Sequence, residues 1–260
     1  MPSEPAVVVE EISKRYYLRA GRAQELKTAL LTLPSLVLNG HGRREAFWAL
    51  QDISLVLERG ESLGVAGPNG SGKSTLLRLI AGLSRPTSGR IVTNGRVSAL
   101  LELGAGFHPQ ITGRENALLN AVLLGLSIDE ARAALPSIED FSELGPFFDQ
   151  PMRTYSSGMY VRLGFAVAVH VRPEILLVDE VLAVGDAEFQ SKCFAHMARL
   201  RHEGVSIIIA SHDLPSIQRY TDRAILLEHG RIALEGKPAH VLHAYLTRVL
   251  GPAEAAEVVG

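Results

Sequence analysis

An apolar stretch, Ser62-Leu63-Gly64-Val65-Ala66, is followed by Gly67-Pro68-Asn69-Gly70-Ser71-Gly72-Lys73-Ser74-Thr75. Apolar residues at helical spacing then run to a glycine at Gly82. A chain with this order must pass from a buried strand through a tight glycine-rich loop directly into a helix. The loop fits the phosphate-binding pattern at every defined position. A bound polyphosphate demands converging backbone N–H groups, a positive point charge and a hydroxyl for a metal ion, and only glycine lets the backbone approach so closely. Lys73 is therefore expected to bridge the β- and γ-phosphates and Ser74 to ligate Mg²⁺. Gly67, Pro68, Asn69, Gly70, Ser71, Gly72 and Thr75 complete the predicted cradle of a nucleoside triphosphate, and the helix N-terminus adds its partial positive charge.

The length of 260 residues suits one α/β domain, read as 1–250 with a tail at 251–260. A net charge of −2 gives no electrostatic argument for nucleic acid, and no basic run interleaved with aromatics suggests base stacking. Cys193 is the single cysteine, so an internal disulfide is excluded and a reducing compartment is expected. The N-terminus lacks the pattern of a secretory signal. The longest uncharged run, Thr28 to Gly42, is broken by Pro34, Asn39 and Gly40 and is too short to span a bilayer. Membrane association is expected to be peripheral, on the cytoplasmic face, or through a partner.

Val7–Ile12 and Asp52–Leu57 read as strands of one sheet, separated by a long basic insertion placed at about 17–48. From Lys14 to Glu45 the chain carries seven Lys/Arg against two acids, with Leu26, Leu30 and Leu33 on one helical face. That stretch reads either as a short amphipathic helix touching a membrane surface or a membrane protein, or as a surface insertion packed on its own domain. Arg90–Thr93 and Arg96–Leu101 read as two strands joined in a hairpin by Asn94-Gly95. Helices are predicted over Glu115–Leu126 and Asp129–Leu135, the second ending near Pro136, and over Tyr160–Val171. These form a helical subdomain at about 107–170. Strands then alternate with helices to the C-terminus, which predicts a mostly parallel sheet.

Ile175-Leu176-Leu177-Val178-Asp179-Glu180 is an apolar run ending in two carboxylates, the form of a doubly buried strand whose C-terminal end opens into the crevice where such sheets bind ligands. Asp179 is expected in the Mg²⁺ shell and Glu180 as the general base that polarises water. Tyr155-Ser156-Ser157-Gly158-Met159 opens the helix before this strand, and Ile207-Ile208-Ile209-Ala210-Ser211-His212 is another buried strand with a polar end.

In this order the motifs resemble the ATP-binding cassette (ABC) ATPases, over about residues 6 to 245. The resemblance implies a P-loop nucleotide-binding fold with a RecA-like core, an antiparallel β subdomain and an inserted helical subdomain. It implies ATP with Mg²⁺, Ser156, Ser157 and Gly158 as a signature motif acting on a partner's nucleotide, and His212 at the γ-phosphate. It also implies Asp186 in the D-loop at a homodimer interface, and Tyr16 stacked on adenine with Tyr17 as its rival. The signature keeps Ser156 and Gly158 of the common Leu-Ser-Gly-Gly-Gln. The chain departs from the family at the Q-loop, where Glu102 or Leu103 replaces the usual glutamine, so Glu102 becomes a third candidate near the metal, with Gln110 further on.

Leu100–Phe107, Thr112-Gly113-Arg114-Glu115-Asn116 and the Tyr155 motif together are similar to ATPases that export lipid-linked O-antigen, capsule or teichoic acid. The partners so implied are a second ATPase subunit and two copies of a separate transmembrane permease carrying the lipid-linked polysaccharide. Some of those ATPases carry a further carbohydrate-binding domain, for which this chain is too short. An ABC ATPase exporting a drug, lipid or peptide, or a soluble one without a membrane partner, shares the same cassette motifs.

Overall fold

The computed structural model describes residues 4–18, 45–101, 106–179, 186–211 and 214–250. Nine strands lie in two sheets among these residues. β1 (Val7–Leu18), β2 (Glu45–Leu57) and β4 (Ser88–Thr93) form an antiparallel sheet in the order β2-β1-β4. The larger sheet has the order β5-β6-β7-β3-β8-β9, from β5 (Val97–Leu100), β6 (Ile175–Val178), β7 (Ser206–Ala210), β3 (Ser62–Ala66), β8 (Arg223–Glu228) and β9 (Arg231–Gly236). Its strands run parallel except for β9, which pairs antiparallel with β8.

Every residue of β3, β6 and β7 is buried, as continuous apolar runs in a sheet covered on both faces require. Side chains alternate between two cores. Ile175, Leu177, Ile208 and Val65 face α1 (Lys73–Ile80) and the small sheet. Leu176, Val178, Ile207 and Ile209 face a layer of helices. That layer comprises α2 (Gly113–Leu123), α3 (Ile128–Ser142), α4 (Ser157–His170) and α5 (Ala187–His202). α6 (Leu214–Tyr220) and α7 (Pro238–Leu250) close the far side over Ala224 and Leu226. Cys193 lies buried on α5, where burial pushes its thiol up to about 12. Among the described residues no helix is long and apolar enough to cross a membrane.

Three sequence expectations are corrected. Asn94-Gly95 makes no hairpin: β4 pairs with β1 and β5 with β6, so the dipeptide is a corner between sheets. Asn94 Nδ2 donates to the Pro5 carbonyl at 2.8 Å, and the Arg96 N–H donates to Glu174 Oε1 at 3.1 Å, which pins the corner from both sides. Pro136 does not end its helix. α3 starts at a Ser127/Glu130 capping box and continues to Ser142, because Ile138 and Phe141 beyond the proline are buried. Two such side chains contribute about 3–6 kcal/mol together, which outweighs the roughly 3 kcal/mol cost of a helical proline. Finally, β1 and β2 extend beyond the strands read at Val7–Ile12 and Asp52–Leu57, through Tyr17-Leu18 and Glu45–Trp48, as a paired ribbon. Residues 19–44, with Leu26, Leu30 and Leu33, lie outside the described residues.

Phe141 meets the edges of two imidazoles, with centroids 5.2 Å from His170 and 5.1 Å from His196, and the two rings lie 5.1 Å apart. Burial depresses the pKa of both, and nearby Arg199 and Lys192 push His170 the same way. A histidine held neutral in the folded state takes up a proton on unfolding. Stability is therefore full above the unfolded value of about 6.5 and declines as pH falls through it. Thermal denaturation is expected to show a lower midpoint at about pH 5.5 than at about pH 7.5. The difference should shrink in His196→Leu, and an unchanged difference contradicts this assignment.

Candidate functional site

The loop from Gly67 to Gly72 leaves the C-terminal end of β3 and enters α1 at Lys73. Its glycines are dictated by neighbouring backbone. Gly67 has φ +148°, and a Cβ there would lie 2.2 Å from the Leu227 carbonyl oxygen of β8. Gly72 has φ +110°, and its Cβ would lie 2.6 Å from the Ala49 carbonyl oxygen of β2. Backbone bonds brace the loop from outside: the Gly230 N–H donates to the Ser71 carbonyl at 3.1 Å, and the Gln51 N–H donates to the Gly230 carbonyl at 2.8 Å. The turn between β8 and β9, β2 and the loop thus interlock through main-chain atoms.

Lys73 is buried, and its ammonium donates to the Gly67 carbonyl at 2.8 Å and the Pro68 carbonyl at 3.2 Å, so its charge spans the loop. Ser71 Oγ is buried without a hydrogen-bond partner, a cost accepted where a ligand supplies the missing bond. Pro68, Asn69, Gly70 and Ser74 are exposed and Thr75 is half-buried. The backbone concavity, a buried ammonium, an unsatisfied buried hydroxyl and an exposed hydroxyl on the first helical turn fit a triphosphate with its divalent cation.

Asp179 follows β6 immediately and Ser211 follows β7, so both lie on the same edge of the sheet as the loop. Because β7 separates β6 from β3, Asp179 stands level with Val65, two strand spacings or about 10 Å across the sheet and two residues short of the loop. Glu180, His212 and Glu102 lie outside the described residues. Tyr16 stacks on its cross-strand partner Phe47, with centroids 6.1 Å apart and planes at 24°, and Lys14 Nζ lies 5.1 Å from its ring.

Ser156 is the N-cap of α4, its Oγ accepting from the Met159 N–H at 3.3 Å, and Ser156 and Ser157 are exposed with Gly158 half-buried. Among the described residues no hydrogen bond joins these serines to Gly67–Thr75. Asp186 caps α5 by accepting from the Phe189 N–H at 2.9 Å, and its other oxygen accepts from Arg162 at 2.5 Å. The N–H of Phe189 and the Arg162 guanidinium hold its carboxyl below the usual range.

Sequence reasoning assigned no structural role to the groups that hold α4. Arg162 on α4 also pairs with Glu143 at 3.1 Å, which pairs with Lys192 of α5 at 2.6 Å, so the helix is tied to Asp186 through a shared ionic network. Tyr155, just before Ser156, is buried, and its hydroxyl donates to the Phe147 carbonyl at 2.8 Å. Burial pushes that phenol up to about 12. A Cβ on Gly113 would lie 1.9 Å from the same hydroxyl. The segment Thr112–Asn116 is thus a clamp. Thr112 and Glu115 form a capping box, Arg114 pairs with Asp149 at 2.6 Å and Glu139 at 2.9 Å, and buried Asn116 donates to the carbonyls of His108, Ile111 and Thr112. The sequence signal for this clamp was the resemblance carried by Thr112–Asn116 and the Tyr155 motif, which gave the two segments no contact with each other.

A family model described as "ABC transporter" matches residues 50–183. The O-antigen export system ATP-binding protein RfbB of Myxococcus xanthus is 44% identical over 249 residues, covering 94% of this chain, and the chain spans 56% of that relative's length. RfbB of Klebsiella pneumoniae is 41% identical over 242 residues, covering 93% of this chain and 98% of the relative. A dimeric ATP-binding cassette solved in a post-hydrolysis state, bound to ADP and Pi, superimposes with a TM-score of 0.71 at 22% identity over 89% of this chain and 98% of its own. That likeness is one of fold.

Gly72→Ala is expected to weaken binding of a fluorescent ATP analogue about tenfold or more, about 1.4 kcal/mol. Gly113→Ala displaces Tyr155 instead, lowering stability by about 1–3 kcal/mol and leaving nucleotide affinity at the loop unchanged. Equilibrium binding and thermal denaturation separate the two, and an unaltered affinity in Gly72→Ala contradicts the cradle.

Proposed function

The chain belongs to the ABC transporter family, and we propose that it is the ATP-hydrolysing subunit of an exporter of lipid-linked polysaccharide, acting at the cytoplasmic face of the inner membrane. The observation that carries the reading is the interlocked glycine loop on the same sheet edge as Asp179. The O-antigen export names of relatives aligning with over nine-tenths of the chain support the substrate class.

Lys73 and the loop N–H groups hold the β- and γ-phosphates. Ser74, and Asp179 through water, would hold Mg²⁺, which when bound would neutralise charge on the phosphates. Glu180, next in sequence to Asp179, orients and deprotonates the attacking water, and His212, next to Ser211, reaches the γ-phosphate. Tyr16, on its Phe47 platform, offers a face to adenine.

The exposed signature, Ser156, Ser157 and Gly158, is built to cap nucleotide held by a second copy, since it makes no hydrogen bond to its own loop among the described residues. Two copies closing head to tail complete two sites, with Asp186 at the seam. Closure driven by ATP is passed to two copies of a separate transmembrane permease that carries the polysaccharide, and hydrolysis resets the pair.

Glu180→Gln is expected to lower turnover by about 10²-fold or more and to trap ATP-bound dimers on size-exclusion chromatography. Normal turnover in that variant removes Glu180 from its role. For the substrate class, ATP hydrolysis by the subunit reconstituted with its permease should be stimulated by lipid-linked polysaccharide. Stimulation by a drug or peptide in its place overturns the export reading and leaves the ATPase reading intact.

A further inference from the structure

We propose that Arg15, Tyr17 and Trp48, on one face of the β1–β2 ribbon, form a docking surface for the anionic phospholipid layer of a membrane. Pairing with β4 ends at Ser13 opposite Ser88, and beyond it β1 and β2 continue as a two-stranded ribbon. Tyr16 and Phe47 are a cross-strand pair on one face. Arg15 and Trp48 are a cross-strand pair on the other, with Tyr17 two residues along from Arg15. The second face points away from the Tyr16–Phe47 pair, to which the proposed function gives the adenine.

The Arg15 guanidinium carbon lies 5.0 Å from the Tyr17 ring and 5.2 Å from the Trp48 ring. Arg90, on the adjoining strand, is neutralised by Glu10 at 2.6 Å, whereas no carboxylate pairs with Arg15 among the described residues, and its Nε is buried without a partner. Tyr17 remains 54% exposed and Trp48 42% exposed. A cation held between two aromatic faces, with no acid to satisfy it, is placed to accept a phosphate from the open side.

The chemistry selects the occupant. Tyr and Trp settle at the headgroup level of bilayers, with ring bodies toward the acyl chains and polar edges in water. Arginine meets phosphodiesters in a planar fork. From Lys14 to Glu45 the sequence holds seven basic residues against two acids, an imbalance that draws this end of the ribbon toward an anionic leaflet. The inference goes beyond the export reading and needs neither nucleotide nor transported substrate.

Trp48 is the only tryptophan in the chain, so its emission reports on this surface alone. With the full-length protein, phosphatidylglycerol vesicles are expected to shift the emission to shorter wavelength, and brominated acyl chains to quench it. Phosphatidylcholine vesicles should leave it unchanged, and added salt should reverse the shift. Arg15→Gln, which keeps the reporter, should weaken binding to phosphatidylglycerol vesicles several-fold at unchanged basal ATP hydrolysis. Trp48→Ser, with binding read by vesicle sedimentation, should do the same, and it decides the matter if Arg15→Gln proves misfolded. An unshifted emission, equal binding to both vesicle types, undiminished binding by the variants, or a shift seen only with permease present would each overturn the proposal. None of those outcomes bears on whether two copies share ATP.

Discussion

The nucleotide-binding end of the protein depends on main-chain atoms meeting main-chain atoms. The carbonyls of Ala49 and Leu227 press against the loop where Gly72 and Gly67 leave room, and the Gly230 N–H fixes the Ser71 carbonyl from a third direction. The antiparallel sheet, the central parallel sheet and the β8–β9 turn all converge on six residues. No side chain longer than hydrogen fits at the two contact points. The concavity is thus set by the fold before any ligand arrives, and the buried Lys73 ammonium already lies across it.

A second level of organisation concerns Ser156. Its hydroxyl is committed to the N-cap of α4, and its position rests on neighbours that do no chemistry. Tyr155 is gripped by Phe147 and Gly113, Arg114 ties α2 to α3 and to Asp149, and Arg162 links α4 to the cap of α5. The residues that made the Thr112–Asn116 segment similar to polysaccharide exporters therefore have a structural task here, which is to aim the exposed end of α4. Asp186 shares this character, since both of its oxygens serve bonds within the chain.

Much of the site was legible because its signals are short-range and physically forced. Glycines at fixed spacing between an apolar strand and a helix leave one local conformation, and apolar runs with polar or acidic ends name the buried strands and their open edge. Legibility failed where a local preference had to yield to a distant partner. Asn94-Gly95 favours a hairpin, yet the flanking strands already belong to different sheets. Pro136 disfavours helix, yet Ile138 and Phe141 reward its continuation. The ribbon at Tyr17 and Trp48 carries aromatic side chains on both faces, Tyr16 with Phe47 on one and Tyr17 with Trp48 on the other, so no polar–apolar alternation marks it as strand. The clamp around Tyr155 joins residues about forty apart in sequence, which no window of composition reveals.

The central claim is that each nucleotide is enclosed by the loop of one copy and the signature of another. Mixing two inactive variants tests it most directly: Lys73→Ala, which spoils the loop, and Ser156→Arg, which blocks the signature. Head-to-tail pairing of one of each concentrates both lesions in a single site and leaves the other site wholly intact, so ATP hydrolysis should reappear on mixing. A mixture as inactive as its separate components would contradict the account.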